Sequence, residues 1–144
     1  MNDPKIEYVI ATHSKLATGL LSTIEFIAGK QKNITCFTAY VDHCLDFENK
    51  IDDYISNSEA DHIIITTDIF GGSVNNHLLE LTKSDARIHL ICGVNLPLIL
   101  SLIVNVKGKE IDNEIKKSVS EAQKGIIYCN ALDNQSGSNE LDEF

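Results

Sequence analysis

The chain has 144 residues, of which 43% are hydrophobic and 23% charged, a balance typical of one globular domain that is large enough to bury a core. Twelve basic residues against 21 acidic ones leave a formal net charge of −9, which disfavours nucleic acid or an anionic membrane as the main partner, because both require a basic surface. The most apolar stretch, Leu90–Val104, is shorter than the roughly 20 residues that cross a bilayer, and the N-terminus lacks the pattern of a secretory signal.

Short apolar runs alternate with helical periodicity in the first half of the chain. In chain order we predict a strand at Ile6–Thr12, a helix from Leu16 to Gly29, a strand at Asn33–Val41, a helix at Phe47–Ile55 and a strand at His62–Asp68. The last of these is apolar at consecutive positions, as expected of a strand that is buried on both faces. Gly29 stands where the first helix should end.

The second half continues the alternation. It predicts a helix at Ser73–Thr82, a strand at Arg87–Val94, a short buried helix at Leu96–Val104, an amphipathic helix from Ile111 that ends at Gly125, and a strand at Ile126–Leu132. Such a chain predicts an α/β fold, an open and mainly parallel sheet with helices on both faces and right-handed connections. The last strand follows two helices, so it can be parallel, antiparallel, or exchanged with a partner subunit.

We assign residues 1–132 to one domain and the acidic residues 133–144 to a disordered tail or a linker, because the tail contains turn-forming and acidic residues but few apolar ones. The four cysteines form no CxxC pair. Three of them lie in apolar, strand-like runs, where cysteine usually acts as a small buried hydrophobe. This usage predicts reduced thiols and a cytoplasmic protein.

Two candidate catalytic residues follow predicted strands. His13 follows the first strand and Asp68 ends the third, and ligands of open α/β sheets bind at the carboxyl ends of the strands. A carboxylate that accepts a hydrogen bond from one imidazole nitrogen fixes the tautomer and leaves the other nitrogen free as a nucleophile or base. The end of the fourth strand, at Gly93-Val94-Asn95, should lie along the same edge.

The turn after Asp68 is a candidate phosphate site. Gly71 and Gly72 permit positive φ and let backbone N–H groups face a concavity that favours anions. Ser73 is a natural N-cap for the following helix, whose positive end adds to the same field. A free imidazole nitrogen beside such a turn favours phosphoryl transfer to histidine.

Structural alternatives exist for every one of these residues. A histidine at a strand end can be a surface or capping residue, Asp68 can cap a turn, and Gly-Gly-Ser is common before helices. Of the other histidines, His62 opens its strand at the opposite edge, whereas His77 and His89 fit structural roles. His43 could reach the site, but no zinc-like spacing joins it to other ligands, so no metal site is predicted.

Three segments together, VIATHSKLATGLL, IIITTDIFGGSVNN and ICGVNLPLIL, resemble the mannose-family enzyme IIA components of the bacterial phosphoenolpyruvate-dependent sugar phosphotransferase system. The resemblance runs from about Ile6 to Ile103. The phosphocarrier subunit that serves dihydroxyacetone kinases has a different sequence at the turn, so DIFGGS favours the sugar-transport branch. One departure is Val74, where the family often has proline.

The resemblance implies that His13 is transiently phosphorylated, that Asp68 hydrogen-bonds the other ring nitrogen, and that Gly71, Gly72 and Ser73 hold the phosphoryl group. It implies no metal or organic cofactor. The donor would be the small histidine-containing phosphocarrier protein and the acceptor enzyme IIB, with membrane permease components coupling transfer to uptake. It also implies a homodimer that exchanges the last strand.

Two other functions remain open on the sequence. The same turn could serve a non-catalytic anion- or nucleotide-binding module, or the histidine could make the protein a regulatory phosphosensor. The resemblance leaves the transported sugar open, because carbohydrate does not touch this subunit. It also leaves open whether the tail leads to an enzyme IIB domain.

Overall fold

A computed structural model describes residues 3–41 and 44–132 of the protein. Four strands form its sheet: β1 (Ile6–His13), β2 (Ile34–Ala39), β3 (His62–Thr67) and β4 (Ile88–Cys92). Five α-helices connect and follow them: α1 (Leu16–Ala28), α2 (Phe47–Asn57), α3 (Ser73–Thr82), α4 (Leu96–Asn105) and α5 (Ile111–Lys124). The strand order is β2-β1-β3-β4, and every neighbouring pair is parallel. The predicted α/β fold with a parallel sheet is confirmed.

The sheet separates two apolar layers. One contains buried residues of α2 and α3, and the other contains buried residues of α1, α4 and α5. The central strand β3 supplies both, because Ile63 and Ile65 face the first layer and Ile64 faces the second. All three side chains are completely buried, which explains the unbroken apolar run in the sequence.

Local signals place the helix ends near their predicted positions. Gly29 follows α1 with φ of 86°, a conformation that favours glycine. At the start of α4, the side chain of Asn95 accepts a hydrogen bond from the backbone N–H of Leu98 at 2.8 Å, and Pro97 occupies the first turn. These residues interrupt the apolar stretch Leu90–Val104 because a strand ends and a helix begins there.

The predicted strand at Ile126–Leu132 is wrong for the single chain. Cys129–Ala131 form a short 3-10 helix, and the backbone bonds of this segment are local, from Ala131 to Tyr128 and from Leu132 to Cys129. Strand propensity does not make a strand where no neighbouring strand pairs with it. Ile126 and Tyr128 are 78% and 75% exposed, so two large apolar side chains face solvent here.

Three further expectations concern the chain as a whole. The acidic tail at 133–144 lies outside the described residues. Within the described ranges, no helix is long and apolar enough to cross a membrane. The four cysteines are free thiols, but Cys129 is exposed rather than buried, whereas Cys44, outside the strands, is buried.

Candidate functional site

The two central strands bring His13 and Asp68 together at the carboxyl edge of the sheet. β1 and β3 are in register with Ala11 beside Thr67, so the ends of both strands lie side by side. Nδ1 of His13 lies 3.0 Å from Oδ2 of Asp68 and 3.2 Å from Oδ1. The backbone N–H of His13 also donates to Oδ2, at 2.9 Å. The juxtaposition expected from the strand ends is therefore present.

This contact fixes which ring nitrogen is available. An ionised carboxylate only accepts hydrogen bonds, so its contact with Nδ1 assigns the proton of a neutral His13 to Nδ1 and leaves Nε2 with a lone pair. The imidazole side chain is 36% exposed, whereas that of Asp68 is 16% exposed. The imidazole is therefore more exposed than the carboxylate that orients it.

The environment of Asp68 keeps its carboxylate ionised. Burial acts to raise the pKa of Asp68, but hydrogen bonds from the backbone and ring of His13 and from the backbone of Ile69 oppose it, and the net effect lowers the pKa. The Ile69 N–H donates to Oδ1 at 3.0 Å. At neutral pH the site therefore contains a carboxylate that can stabilise positive charge on the neighbouring imidazole.

The two glycines of the turn serve different purposes. Gly71 has φ of 79°, and a methyl group added there would meet no atom beyond its chain neighbours within 4 Å, so its requirement is conformational. Gly72 has an ordinary φ of −75°, but a Cβ there would lie 3.2 Å from Cε1 of His13. Gly72 does not use the positive φ that glycine permits, and its missing side chain instead leaves room for the imidazole ring.

Ser73 is not the N-cap of α3. The cap position belongs to Gly72, whose extended backbone precedes the helix, and Ser73 is the first helical residue. The serine hydroxyl faces the site: Oγ lies 3.5 Å from Nε2 of His13 and accepts a hydrogen bond from the hydroxyl of Tyr40 at 3.1 Å. Tyr40 was not identified from the sequence, where no motif marks it.

Buried contacts hold the first turn of α3 in place. The hydroxyl of Thr67, at the end of β3, donates to Oδ1 of Asn75 at 2.8 Å, and both residues are buried. Val74, at the position where the resembling family often has proline, is completely buried in the layer shared by α2 and α3. The turn that carries Gly71 and Gly72 is thus anchored by the strand before it and the helix after it.

The other described histidines have contacts of their own. His62 and His89 contact each other at 3.2 Å, and His77 contacts Asp52 at 2.7 Å, as expected of structural histidines. Burial and the neighbouring His62 lower the pKa of His89. Asn95, at the end of the fourth strand, caps α4. His43 lies outside the described residues, and no group of three or more metal-ligating side chains occurs within residues 3–41 and 44–132.

Large apolar side chains border the site on its open side. Ile69 and Phe70, which directly follow Asp68, are 57% and 77% exposed. Tyr40, whose ring centroid is 6.0 Å from that of His13, is 41% exposed. Exposed aromatic and aliphatic residues of this kind are enriched at protein interfaces, so this edge is suited to bind another protein.

Comparison with known proteins adds a family to this geometry. Residues 7–119 match the model of the family described as the fructose IIA component of the phosphotransferase system. The matched range includes His13, Asp68 and the whole Gly71-Gly72-Ser73 turn. No curated protein matches the chain significantly.

Solved structures with the same fold come from several bacteria. A Klebsiella pneumoniae protein, described as a phosphoenolpyruvate-dependent sugar phosphotransferase system permease, is 34% identical, with a TM-score of 0.84 over 91% of this chain and 96% of that one. The phosphotransferase system component EIIA of Streptococcus agalactiae is 23% identical, with a TM-score of 0.75 over 88% and 99%. The mannose/sorbose-specific IIA subunit of Enterococcus faecalis is 17% identical, with a TM-score of 0.71 over 90% and 96%. The last two similarities concern the fold alone.

Proposed function

The chain belongs to the fructose- and mannose-type enzyme IIA family of the sugar phosphotransferase system, and we propose that it carries a phosphoryl group on Nε2 of His13. The donor is the small histidine-containing phosphocarrier protein and the acceptor is enzyme IIB. The observation that carries this proposal is the contact between Nδ1 of His13 and the Asp68 carboxylate, because it leaves Nε2 unprotonated on a side chain that is 36% exposed.

The proposed step is a reversible in-line transfer between two imidazoles. The lone pair of Nε2 forms the new N–P bond, and the electrons of the breaking N–P bond return to the nitrogen of the donor histidine. Positive charge then develops on the His13 ring, and the Asp68 carboxylate stabilises it. The protein contributes positioning and charge stabilisation, which are the main requirements of phosphoryl transfer, and the step uses no metal ion or organic cofactor.

The turn before α3 is proposed to hold the phosphoryl oxygens. Gly71 allows the left-handed turn, Gly72 leaves room for the His13 ring, and the N-terminus of α3 would offer N–H groups and a positive dipole end to an anion at Nε2. The Ser73 hydroxyl, 3.5 Å from Nε2, is placed to donate to a phosphoryl oxygen. These three residues would hold the phosphoryl oxygens while the group moves to His13 and after it has arrived.

The exposed apolar residues support two protein contacts. Ile69 and Phe70, beside the site, are proposed to bind the phosphocarrier protein and enzyme IIB in turn. Ile126 and Tyr128, beyond α5, are proposed to lie in a homodimer interface, where the last segment pairs with the partner subunit. We place the reaction in the cytoplasm, with membrane permease components coupling the transfer from enzyme IIB to sugar uptake.

Incubation with labelled phosphoenolpyruvate, the general enzyme of the system and the phosphocarrier protein tests the proposal. We expect one acid-labile, base-stable label per chain, absent from His13→Ala and present in His62→Ala, whose imidazole lies at the opposite edge of the sheet. Full labelling of His13→Ala would overturn the assignment. Saturable binding of inorganic phosphate without a covalent label would instead identify an anion-binding module.

A further inference from the structure

Tyr40 has a backbone conformation that is unusual for a residue with a side chain. It directly follows β2 and has φ of 70°, in the left-handed region that non-glycine residues seldom occupy. Its N–H donates to the carbonyl oxygen of Cys44 at 3.0 Å. Residues held in such conformations cluster at functional sites, and here the conformation accompanies a side chain that reaches the site.

The side chain of Tyr40 is placed between the core and His13. Its ring meets that of Phe47 edge to face, with centroids 6.3 Å apart, and lies 6.0 Å from the imidazole of His13. Phe47 is only 1% exposed, so it gives the tyrosine ring a fixed support. The phenol hydroxyl then ends 3.1 Å from Oγ of Ser73, to which it donates.

This hydrogen bond constrains the proton of Ser73. A serine hydroxyl has one proton to donate and two lone pairs that accept. Because Tyr40 occupies an accepting position of Oγ, the serine proton remains available for Nε2 of His13, or for an oxygen of a phosphoryl group attached there. Without the phenol, the serine hydroxyl can rotate to other partners, including water.

We propose that Tyr40 is a positioning residue for phosphoryl transfer. Its hydroxyl orients that of Ser73 towards the phosphoryl group on His13, so Tyr40 acts through Ser73 rather than on the reacting atoms. This inference rests on the proposed function and deepens it, because it extends the site to the edge strand β2 and names a hydroxyl relay, Tyr40–Ser73–His13, for the transfer step.

Tyr40→Phe tests the proposal in the full-length chain, because it removes the hydroxyl and keeps the ring that packs on Phe47. We expect the maximal rate of transfer from the phosphocarrier protein to fall about fivefold, the effect of one ordinary hydrogen bond, with an unchanged half-saturating concentration of that protein. Tyr54→Phe is the matched control: it removes a phenol hydrogen bond to Glu7 away from the site and should leave the transfer rate unchanged.

A double-mutant cycle separates a relay from two independent effects. In the proposed arrangement, Tyr40→Phe with Ser73→Ala transfers no more slowly than Ser73→Ala alone, because the tyrosine acts only through the serine. Three results would overturn the inference. The rate losses of the two single variants could multiply in the double variant, Tyr40→Phe could transfer at the normal rate, or Tyr40→Phe could change only the half-saturating concentration of the phosphocarrier protein. Failure of the proposed function can be told apart from failure of this inference, because the wild-type protein itself would then acquire no label.

Discussion

The carboxylate of Asp68 holds His13 at two points, the backbone N–H at 2.9 Å and the ring nitrogen Nδ1 at 3.0 Å. One side chain therefore orients both the backbone at the end of β1 and the imidazole of His13, the last residue of that strand. Adjacent parallel strands account for the pairing, because they bring residues 55 positions apart in the chain to the same edge of the sheet.

Asp68→Asn should preserve the fold and slow phosphoryl transfer. The amide removes the negative charge that stabilises the imidazolium, and a hydrogen bond to a charged group contributes about 1.5–3 kcal/mol, which corresponds to roughly 10- to 150-fold in rate. Rapid-quench labelling measures the loss. Asp52→Asn is the control, because Asp52, on α2, makes a similar carboxylate–imidazole contact with His77, on α3. Equal effects of both substitutions would contradict a special role for Asp68.

Gly72→Ala should impair transfer more than stability. The backbone of Gly72 suits any residue, but the added methyl group would lie 3.2 Å from Cε1 of His13 and would displace the ring from Asp68 or the phosphoryl position. We expect at least a roughly tenfold lower transfer rate, since small displacements at reacting atoms have large effects.

Gly29→Ala is the comparison for Gly72→Ala, because it should impair stability more than transfer. Its φ of 86° and ψ of 176° lie in a region that glycine almost alone occupies, so the alanine is strained by about 1–3 kcal/mol, with no atom in the way of the methyl group. It should lower the unfolding temperature and leave transfer intact. Measuring both quantities for both variants checks the prediction, and normal transfer by Gly72→Ala would contradict it.

Ile126→Asp should weaken the proposed homodimer without abolishing the proposed phosphorylation. The side chain is 78% exposed in the single chain, and a carboxylate at a buried apolar interface is costly. Analytical ultracentrifugation should show a dimer for the wild type and a shift towards monomer for the variant.

Phe70→Asp, beside the site, should do the reverse: it should keep the dimer and raise the half-saturating concentration of the phosphocarrier protein. Loss of the dimer in Phe70→Asp alone would contradict this division of surfaces.

The ion pair between Asp85 and Arg87 should make stability depend on pH. Hydrogen bonds from the Arg87 guanidinium lower the pKa of Asp85 despite partial burial, and Arg87 also donates to the backbone carbonyls of Ile55 and Ser58. A carboxyl group whose pKa is lower in the folded state stabilises the protein at pH values above its ordinary pKa of 3.8. This stabilisation disappears as the pH falls through the pKa of the folded state.

Asp85→Asn tests this linkage. We expect its unfolding temperature to be a few degrees below that of the wild type at about pH 5 to 7, and the difference to close towards about pH 2 in thermal unfolding by circular dichroism. Glu80→Gln is the control, because the Lys83–Glu80 pair is mostly exposed and such pairs contribute little. A difference between Asp85→Asn and wild type that widens on acidification would contradict the assignment.

The sequence predicted those features that depend on periodicity and strand order. The buried run at Ile63–Ile65 identified β3, and parallel strands with ends at His13 and Thr67 bring the imidazole and the carboxylate together. The segment at Ile126–Leu132 has the composition of a strand, but a strand also needs a neighbour, and composition does not say which chain supplies it.

Finer features of the site depend on backbone geometry that no motif encodes. Gly72 rather than Ser73 occupies the cap position of α3, so the serine hydroxyl is directed to His13 and Tyr40 instead of the helix N–H groups. Tyr40 enters the site only through a left-handed backbone at an aromatic residue, which local preferences disfavour. Such conformations are imposed by the surrounding fold.

The strand order β2-β1-β3-β4 gives the molecule two middle strands and two edge strands. His13 and Asp68 lie on or directly after the two middle strands, whereas Tyr40 and the chain beyond α5 belong to the periphery. A lineage could therefore retune transfer speed at one margin and subunit assembly at the other while the imidazole–carboxylate pair stays untouched.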